Sequence, residues 1–264
     1  MSHARGKAPV RLVLFDVFDT LCTPRLPVHE QYHEEAIRAG ISPSSISPTS
    51  VRQGFKPTFK KMEKQFPLYG KMAEPPISPE AWWTELIRRC MLHAGASQSD
   101  VDGATDLGES LLTRFESDHG YRDFDDTLRC LHTLKDLGIK TSVVSNADPR
   151  ILKTLDSLKI LPLLTCPPTL SWDVEASKPS AEIYQAACRL CGEDLGEGVI
   201  MVGDELKADY HGARAAGLEA RLIRRDGDWS DGAARHAEED LTGVEVVRSL
   251  DELLEEVQYR AGFA

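Results

Sequence analysis

The chain has 264 residues, 41% of them hydrophobic and 28% charged, which excludes a disordered chain and suits one large or two moderate globular domains. Its formal net charge of −11 argues against nucleic acid or an anionic membrane as a partner, but permits a small phosphorylated substrate in a locally basic pocket. Six cysteines are too few for a disulfide scaffold, and no apolar run suits a signal peptide or a membrane span, so we expect a reducing, cytoplasmic location.

The first predicted element is a buried strand that runs into an acidic turn. Residues 10–15 (VRLVLF) are a nearly continuous apolar run, as expected of a strand covered on both faces of its sheet. Asp16, Asp19 and Thr20 follow it directly in the sequence DVFDT. A carboxylate at the end of such a strand is a candidate nucleophile or cation ligand.

Residues 24–122 predict a helical region with proline-rich joints. Its helices are predicted at 27–39, 50–65, 79–94 and 101–117. The third of these has the clearest pattern, because Trp82, Leu86 and Cys90 recur on one face at helical spacing. We expect this region to form a unit of its own between the first strand and the rest of the chain.

From residue 124 onward, helices alternate with strands, which is typical of right-handed βαβ units in a parallel sheet. Strands are predicted at 139–144, 199–202 and 218–224, helices at 125–137, 149–158, 180–191, 206–216 and 248–258, and a short apolar run lies at 160–165. The predicted fold class is α/β, with a Rossmann-like parallel sheet core formed by 8–23 and 123–264 and a helical insertion at 24–122. The polar segment 226–240 predicts a surface loop.

Polar residues follow the predicted strands at three later points. Ser145 and Asn146 follow the second predicted strand, and the run GDELKAD, which contains Asp204 and Asp209, follows the third. Between them, Lys178 precedes a proline and a predicted helix. Because ligands bind at the carboxyl ends of the strands in an open α/β sheet, these residues should meet the acidic turn of the first strand.

This ordered set resembles the four signature motifs of the haloacid dehalogenase-like (HAD) superfamily of hydrolases. The resemblance implies a helical cap of the C1 type, inserted after the first motif, and a small-molecule substrate that is phosphorylated in many members. It also implies that Asp16 is a nucleophile that forms an aspartyl intermediate. Ser145, Asn146 and Lys178 would then bind the phosphoryl group. Thr20 would orient the nucleophile, although a threonine that only caps the turn fits this position equally well.

The resemblance also implies a Mg²⁺ site. Asp16, the backbone carbonyl of Phe18 and Asp204 would supply oxygen ligands, which are the ligands that Mg²⁺ prefers. Asp209 would bind through water or brace the loop, with an ion pair to Lys178 as a further option. Apart from any family, so many carboxylates at one point would repel each other unless a cation lay among them.

Phe18 departs from the pattern of the superfamily's phosphatases, in which the residue two after the nucleophile is an aspartate that acts as general acid and base. Phenylalanine cannot transfer a proton, and general acid–base catalysis typically contributes ~10²–10⁴ in rate. The haloacid dehalogenases also have an aromatic residue here, because a halide leaves without protonation. They typically lack the aspartate found here as Asp204, however, and need no metal. Asp19, one residue further on, is an alternative proton donor.

Three functions are compatible with these motifs. The favoured one is a Mg²⁺-dependent hydrolase of a small phosphorylated compound. The second is a member that binds a phosphorylated ligand or a protein with little turnover, and the third is a carbon–halogen hydrolase that acts through Asp16.

A separate motif lies in the first predicted helix. The run His29-Glu30-Gln31-Tyr32-His33 matches H-E-x-x-H, which on a helix places both histidines on one face. Zinc would need a third ligand and a substrate cleft. The alternatives to a zinc site are cap residues that contact substrate and a solvated helix face.

Overall fold

The computed structural model describes residues 7–227, 235 and 238–262 of the chain. The chain divides into two compact units. The sheet unit comprises Met1–Thr23, Asp123–Ala147 and Lys159–Ala264, and the helical unit comprises Pro24–Arg122 and Asp148–Leu158. Most of the segment 226–240, predicted as a surface loop, lies outside the described residues.

A parallel sheet forms the centre of the sheet unit. The described strands are β1 Leu12–Phe15, β2 Cys22–Pro24, β3 Tyr121–Asp123, β4 Lys140–Ser145, β5 Thr169–Leu170, β6 Val199–Gly203, β7 Glu219–Ile223 and β8 Val246–Val247. Six of them form one sheet in the order β5-β4-β1-β6-β7-β8, in which every neighbouring pair is parallel, while β2 pairs with β3 separately. The predicted α/β class with a parallel sheet is confirmed. All four residues of β1 are buried, as its apolar sequence requires of a central strand.

The helices of the described residues are α1 Val28–Arg38, α2 Pro48–Gln65, α3 Pro79–Ala94, α4 Gln98–Gly103, α5 Leu107–Phe115, α6 Thr127–Asp136, α7 Ile151–Ser157, α8 Ser171–Val174, α9 Ala181–Leu190, α10 Gly212–Ala215 and α11 Leu250–Arg260. Short 3₁₀ turns occur at Leu68–Gly70 and Leu161–Leu163, and a π-helical turn at Leu206–His211. Within this part of the chain, no helix combines the length and the apolar composition that crossing a bilayer requires.

One predicted helix needs correction. The single helix predicted at 101–117 is two helices, α4 and α5, because Ala104 leaves the helical conformation with a ψ of 58°. The apolar run at 160–165 contains a 3₁₀ turn, and strand β5 follows it at Thr169–Leu170. Strands β5 and β8 have two residues each, too few to produce a periodic hydrophobic pattern.

The helical unit has its own core. Helix α3 begins after Ser78, whose side chain accepts a hydrogen bond from the N–H of Ala81, and it buries Trp82 completely. Residues 148–158, which the sequence had grouped with the sheet core, belong to this unit. The Trp83 indole N–H donates to Asp148 at 2.8 Å, and the Thr154 hydroxyl donates to the Phe115 carbonyl at 3.0 Å. These long-range hydrogen bonds attach the segment to helices α3 and α5.

Ion pairs fasten helix α11 to strand β7 in the sheet unit. Arg260 donates to the two carboxylate oxygens of Glu219 at 2.7 and 2.8 Å, and Glu219 also accepts the N–H of Gly198 at 2.8 Å. Burial alone would raise the pKa of Glu219, but these hydrogen bonds and the nearby arginine charges outweigh it and lower the pKa to about 2.

This pKa predicts how the stability of the fold depends on pH. Because the folded-state pKa of Glu219 lies below its ordinary value of 4.5, its stabilisation is present above that value and is lost as the pH falls toward 2. We predict that Glu219→Gln lowers the free energy of unfolding at neutral pH and flattens its decline below about pH 5, as measured by urea unfolding. Glu255→Gln, at an exposed position of α11, is the control and should change neither. An unchanged acid profile for Glu219→Gln would contradict the prediction.

Candidate active site

Three adjacent strands end at one edge of the sheet, and each is followed or closed by a polar residue of the predicted motifs. Strand β1 pairs in parallel with β4 on one side and β6 on the other. Asp16 comes directly after β1, Ser145 closes β4, and Asp204 follows β6. The N–H of Asp16 continues the strand ladder by donating to the Val202 carbonyl at 2.8 Å. The three predicted motif positions therefore lie side by side, and all three side chains belong to buried residues.

Lys178 joins the acidic residues of this edge. Its ammonium donates to Oδ1 of Asp16 at 2.5 Å and to Oδ1 of Asp209 at 2.7 Å. The Lys178 side chain is only 3% exposed and that of Asp209 is fully buried, so these are interior ion pairs. The ammonium thus lies between the first and fourth motifs, which are far apart in the sequence.

Asn146 fixes the backbone that carries this lysine. Its side-chain carbonyl accepts the N–H of Lys178 at 2.7 Å, and its amide donates to the Lys178 carbonyl at 3.0 Å. The amide keeps a second N–H beyond these two bonds, and the predicted contact of Asn146 with a phosphoryl group stays a prediction. Both bonds tie Asn146 to the main chain of Lys178.

Burial and mutual interaction set the ionisation of these groups. Burial raises the pKa of Asp16 to about 7; Lys178 opposes this shift and the Asp209 charge adds to it. Burial alone would lower the pKa of Lys178, but the two carboxylates outweigh it and hold the pKa above its ordinary value. Lys178 therefore stays charged at neutral pH. A divalent cation among the carboxylates would favour the ionised form of Asp16.

Asp209 is held on both of its oxygens. Oδ1 accepts from Lys178, and Oδ2 accepts the backbone N–H of Glu205 at 2.9 Å. A Cβ at Gly203 would overlap the carboxyl group of Asp209, so only glycine leaves room for this carboxylate. The turn is π-helical, a rare form that occurs frequently at functional sites. The Tyr184 hydroxyl donates to the carbonyl of Ala208 within the same turn.

The acidic side chains have the arrangement of a cation site. Asp16, Asp204 and Asp209 each offer one carboxylate oxygen, and these oxygens lie within 4.8 Å of one another. Three hard oxygen donors suit Mg²⁺ better than a soft metal such as zinc. The donor set therefore fits the metal that the family implies.

The turn after Asp16 contains the remaining residues of the first motif. Phe18 is half-buried and forms an isolated bridge with Cys22. Asp19 has a left-handed φ of 54°, and its Oδ1 accepts the Thr23 hydroxyl at 3.0 Å. Thr20 is fully buried, and its hydroxyl has no hydrogen-bond partner among the described residues.

The H-E-x-x-H run lies in helix α1 of the helical unit, and its central residues have structural roles. The Gln31 amide donates to the carbonyls of Leu26 and Gly120 at 2.8 and 3.1 Å. Tyr32 packs against the rings of Phe55 and Phe115, with centroids 5.4 and 5.5 Å away. Across the described ranges, the grouping of at least three potential metal ligands that the structure shows is the aspartate cluster, which includes neither histidine of the run.

The sequence analysis missed two arginines beside the site. Arg224 donates to the backbone carbonyl of Asp204, and Arg225 donates to the backbone carbonyl of Thr20 at 2.8 Å. The only signal for them in the sequence is a pair of arginines directly after a strand. Such a pair usually lies in solvent at the end of the strand.

Comparison with known proteins identifies a family for the chain. Residues 10–217 match the protein family described as haloacid dehalogenase-like hydrolase. The zebrafish (Danio rerio) protein named haloacid dehalogenase-like hydrolase domain-containing protein 3 is 31% identical over 253 residues, which cover 96% of this chain and 98% of that protein. The family match runs from β1 to α10, so it contains the helical unit and every residue of the four motifs.

Solved structures share the fold. A HAD phosphatase from Thermococcus onnurineus is similar with a TM-score of 0.59 and 23% identity, covering 94% of this chain and 98% of that one. The L-2-haloacid dehalogenase from Xanthobacter autotrophicus has a TM-score of 0.61 and 16% identity, again covering 94% and 98%. The chain belongs to the haloacid dehalogenase-like hydrolase family, and the resemblance predicted from its motifs is confirmed.

The close approach at Gly203 can be tested directly. We predict that Gly203→Ala lowers the free energy of unfolding by about 1–3 kcal/mol, because the new methyl group must displace the buried Asp209 carboxylate. Gly103→Ala is the matched control, since a Cβ there meets nothing within 4 Å at the end of helix α4. It should be neutral or stabilising by up to ~1 kcal/mol. Chemical denaturation of both variants measures their free energies of unfolding. Equal free energies of unfolding would contradict the close approach of Gly203 to Asp209.

Proposed function

We propose that the chain is a Mg²⁺-dependent hydrolase that acts on a small phosphorylated substrate with Asp16 as its nucleophile. The observation that carries the proposal is the buried cluster of Asp16, Asp204 and Asp209, with oxygens within 4.8 Å of one another, in a member of a hydrolase family. With Lys178, three carboxylates and one ammonium leave a formal balance of −2. A divalent cation would offset that charge, which supports a metal-dependent enzyme.

Each residue of the site would have a distinct task. The Asp16 carboxylate attacks the phosphorus atom, the bond to the leaving group breaks, and water then hydrolyses the aspartyl phosphate to regenerate the carboxylate. The Lys178 ammonium offsets negative charge on the nucleophile and the phosphoryl group, and the Ser145 hydroxyl donates to a phosphoryl oxygen. Mg²⁺, when bound by Asp16, the Phe18 carbonyl, Asp204 and Asp209, would stabilise the phosphoryl charge further. Thr20 would restrain the turn that carries the nucleophile.

Phe18 sets the choice of substrate within this scheme. It cannot protonate a leaving alkoxide or activate the water of the second step. The Asp19 carboxylate, the nearest alternative in the sequence, already accepts the Thr23 hydroxyl. We infer a preference for leaving groups that depart as stable anions, such as those of aryl, enol or acyl phosphates.

Phe18 also favours a second candidate, a carbon–halogen hydrolase, because a halide leaves without protonation. In that reaction Asp16 would attack carbon and form an ester, and a metal would be unnecessary. A third candidate is a protein that binds a phosphorylated ligand with little turnover. Dependence on Mg²⁺ separates the first candidate from the second, and turnover separates the first from the third.

We further propose that the helical unit serves as the family's C1-type cap. Its insertion within 24–122, directly after the first motif, supports this assignment. Substrate selectivity beyond the reacting group would then depend on side chains of that unit, and their chemistry determines which phosphorylated compound is accepted. The cytoplasmic location inferred from the cysteine content stays a prediction.

A metal titration combined with a substrate screen tests the proposed function. Calorimetry of the wild-type protein should show Mg²⁺ binding that Asp204→Ala weakens strongly. Turnover of an aryl phosphate should require Mg²⁺, and Asp16→Asn should reduce it by more than ~10³-fold without loss of the fold. Asp136→Asn, at an exposed position of α6, is the matched control and should keep full activity. Halide release without affinity for Mg²⁺ would instead support the dehalogenase, and Mg²⁺ binding without turnover would support the binding protein.

Phe18→Asp tests the missing proton-transfer group. We predict that it accelerates the first step on alkyl phosphates by up to ~10²–10⁴-fold, and less if the new carboxylate is poorly positioned. The first step on aryl phosphates should change little. Rapid-quench measurement of aspartyl phosphate formation isolates this step, which matters because slow hydrolysis of the intermediate would mask any leaving-group effect in kcat. Equal acceleration of both substrate classes would show that position 18 does not protonate the leaving group.

A further inference from the structure

Two consecutive arginines, Arg224 and Arg225, directly follow strand β7 and belong to none of the four motifs. Arg224 is 4% exposed, and Arg225 is half-buried beside it. A buried guanidinium is costly unless it is paired and its N–H groups are used. The partners of these two side chains therefore indicate what they do.

Arg224 connects a carboxylate to the fourth motif. It forms a fork with Glu239, with N–O distances of 2.8 to 3.0 Å. Its remaining terminal nitrogen donates to the backbone carbonyl of Asp204, and to that of Ile223 at 3.0 Å. The backbone N–H of Arg224 donates to the backbone carbonyl of Val247 in strand β8 at 2.8 Å. Glu239 thus orients the guanidinium, and the guanidinium in turn holds the backbone carbonyl of Asp204.

Arg225 makes the corresponding connection to the first motif. One terminal nitrogen pairs with Asp126 at 2.8 Å, and the other donates to the backbone carbonyl of Thr20 at 2.8 Å. The guanidinium also lies over the ring of Phe124, 3.8 Å from its centroid. Asp126 accepts the N–H of Leu250 at 2.8 Å as well, which fixes the carboxylate that orients the arginine.

We propose that Arg224 and Arg225 form an arginine clamp that positions the two acidic loops of the site for a divalent cation. Each arginine is oriented by a carboxylate, and each donates to the main chain of a loop that bears cluster aspartates. Because the two arginines are consecutive residues directly after strand β7, they connect the two loops to each other. They are positioning residues that act through Asp204 and through the turn after Asp16. The inference rests on the proposed Mg²⁺-dependent function and identifies residues of that site outside its four motifs.

The chemistry of the guanidinium explains why arginine serves here. Its planar fork pairs with a carboxylate through two nitrogens and still offers a donor to a carbonyl in a fixed direction. A lysine ammonium keeps the charge, but its flexible stem cannot maintain both contacts in the same geometry. Residues that orient metal ligands typically contribute ~10–100-fold to metal affinity. Arg→Lys variants therefore separate positioning from charge.

The test compares Mg²⁺ affinity with stability in full-length variants. Arg224→Lys and Arg225→Lys should each weaken Mg²⁺ binding, measured by calorimetry at a temperature where all variants are folded, by about 10-fold or more. Arg221→Lys is the matched control, because Arg221 lies in strand β7 just before the two arginines, is 2% exposed and pairs with Glu245 and Glu256 instead of a site loop. It should destabilise the fold to a similar extent, as seen in its unfolding temperature, with Mg²⁺ affinity unchanged.

Glu239→Gln provides a second route if a lysine variant unfolds. It removes the charge that orients Arg224 and should weaken Mg²⁺ binding less than Arg224→Lys does. Equal Mg²⁺ affinity in the wild type and the Arg224 and Arg225 variants would overturn the clamp while leaving the proposed function intact. Equal weakening by Arg221→Lys would also overturn it, because the effect would then follow from general destabilisation. A wild-type protein without Mg²⁺ affinity would overturn the proposed function and the clamp together.

Discussion

The ion pairs of the Lys178 ammonium with Asp16 and Asp209 are the interaction on which the site depends. Removing such charges from water costs several kcal/mol per ion, so a buried group of this kind persists only when its partners are well placed. The surrounding residues meet that requirement. Asn146 fixes the backbone of Lys178, the N–H of Glu205 holds Asp209, and the absence of a side chain at Gly203 leaves the space that the carboxylate occupies.

The parallel sheet brings these partners together. Adjacent strands β4, β1 and β6 end at the same edge, so residues separated by more than a hundred positions in the sequence become neighbours. Strand β7 lies next to β6 and places Arg224 and Arg225 behind the acidic loops. The sheet therefore provides the carboxylates from its central strands and the side chains that hold their loops from the next strand outward.

The sequence alone predicted the helices and strands that produce a hydrophobic pattern along the chain. Apolar runs identified the central strands, and the carboxyl ends of parallel strands explained why Asp16, Asp204 and Lys178 should meet. It did not predict the pairing of Asn146 with the Lys178 backbone or the contacts of Arg224 and Arg225, because a side chain that binds a distant carbonyl leaves no periodic pattern. The sequence failed to predict that 148–158 belongs to the helical unit for the same reason, because the hydrogen bonds of this segment to Trp83 and Phe115 are long-range.

Phe18 restricts the chemistry of this site because its side chain cannot transfer a proton. A nucleophile, an ammonium and a set of carboxylates for a cation can stabilise the charge of a phosphoryl group, and such electrostatic stabilisation is usually the largest contribution to catalysis. Proton transfer typically adds ~10²–10⁴, and that contribution matters least when the leaving group is already stable as an anion. In the proposed hydrolase, this combination would select substrates by the acidity of the leaving group. Under the proposed function, this first level of selectivity lies in the reacting atoms of the sheet unit, whereas recognition of the rest of the substrate is left to the helical unit.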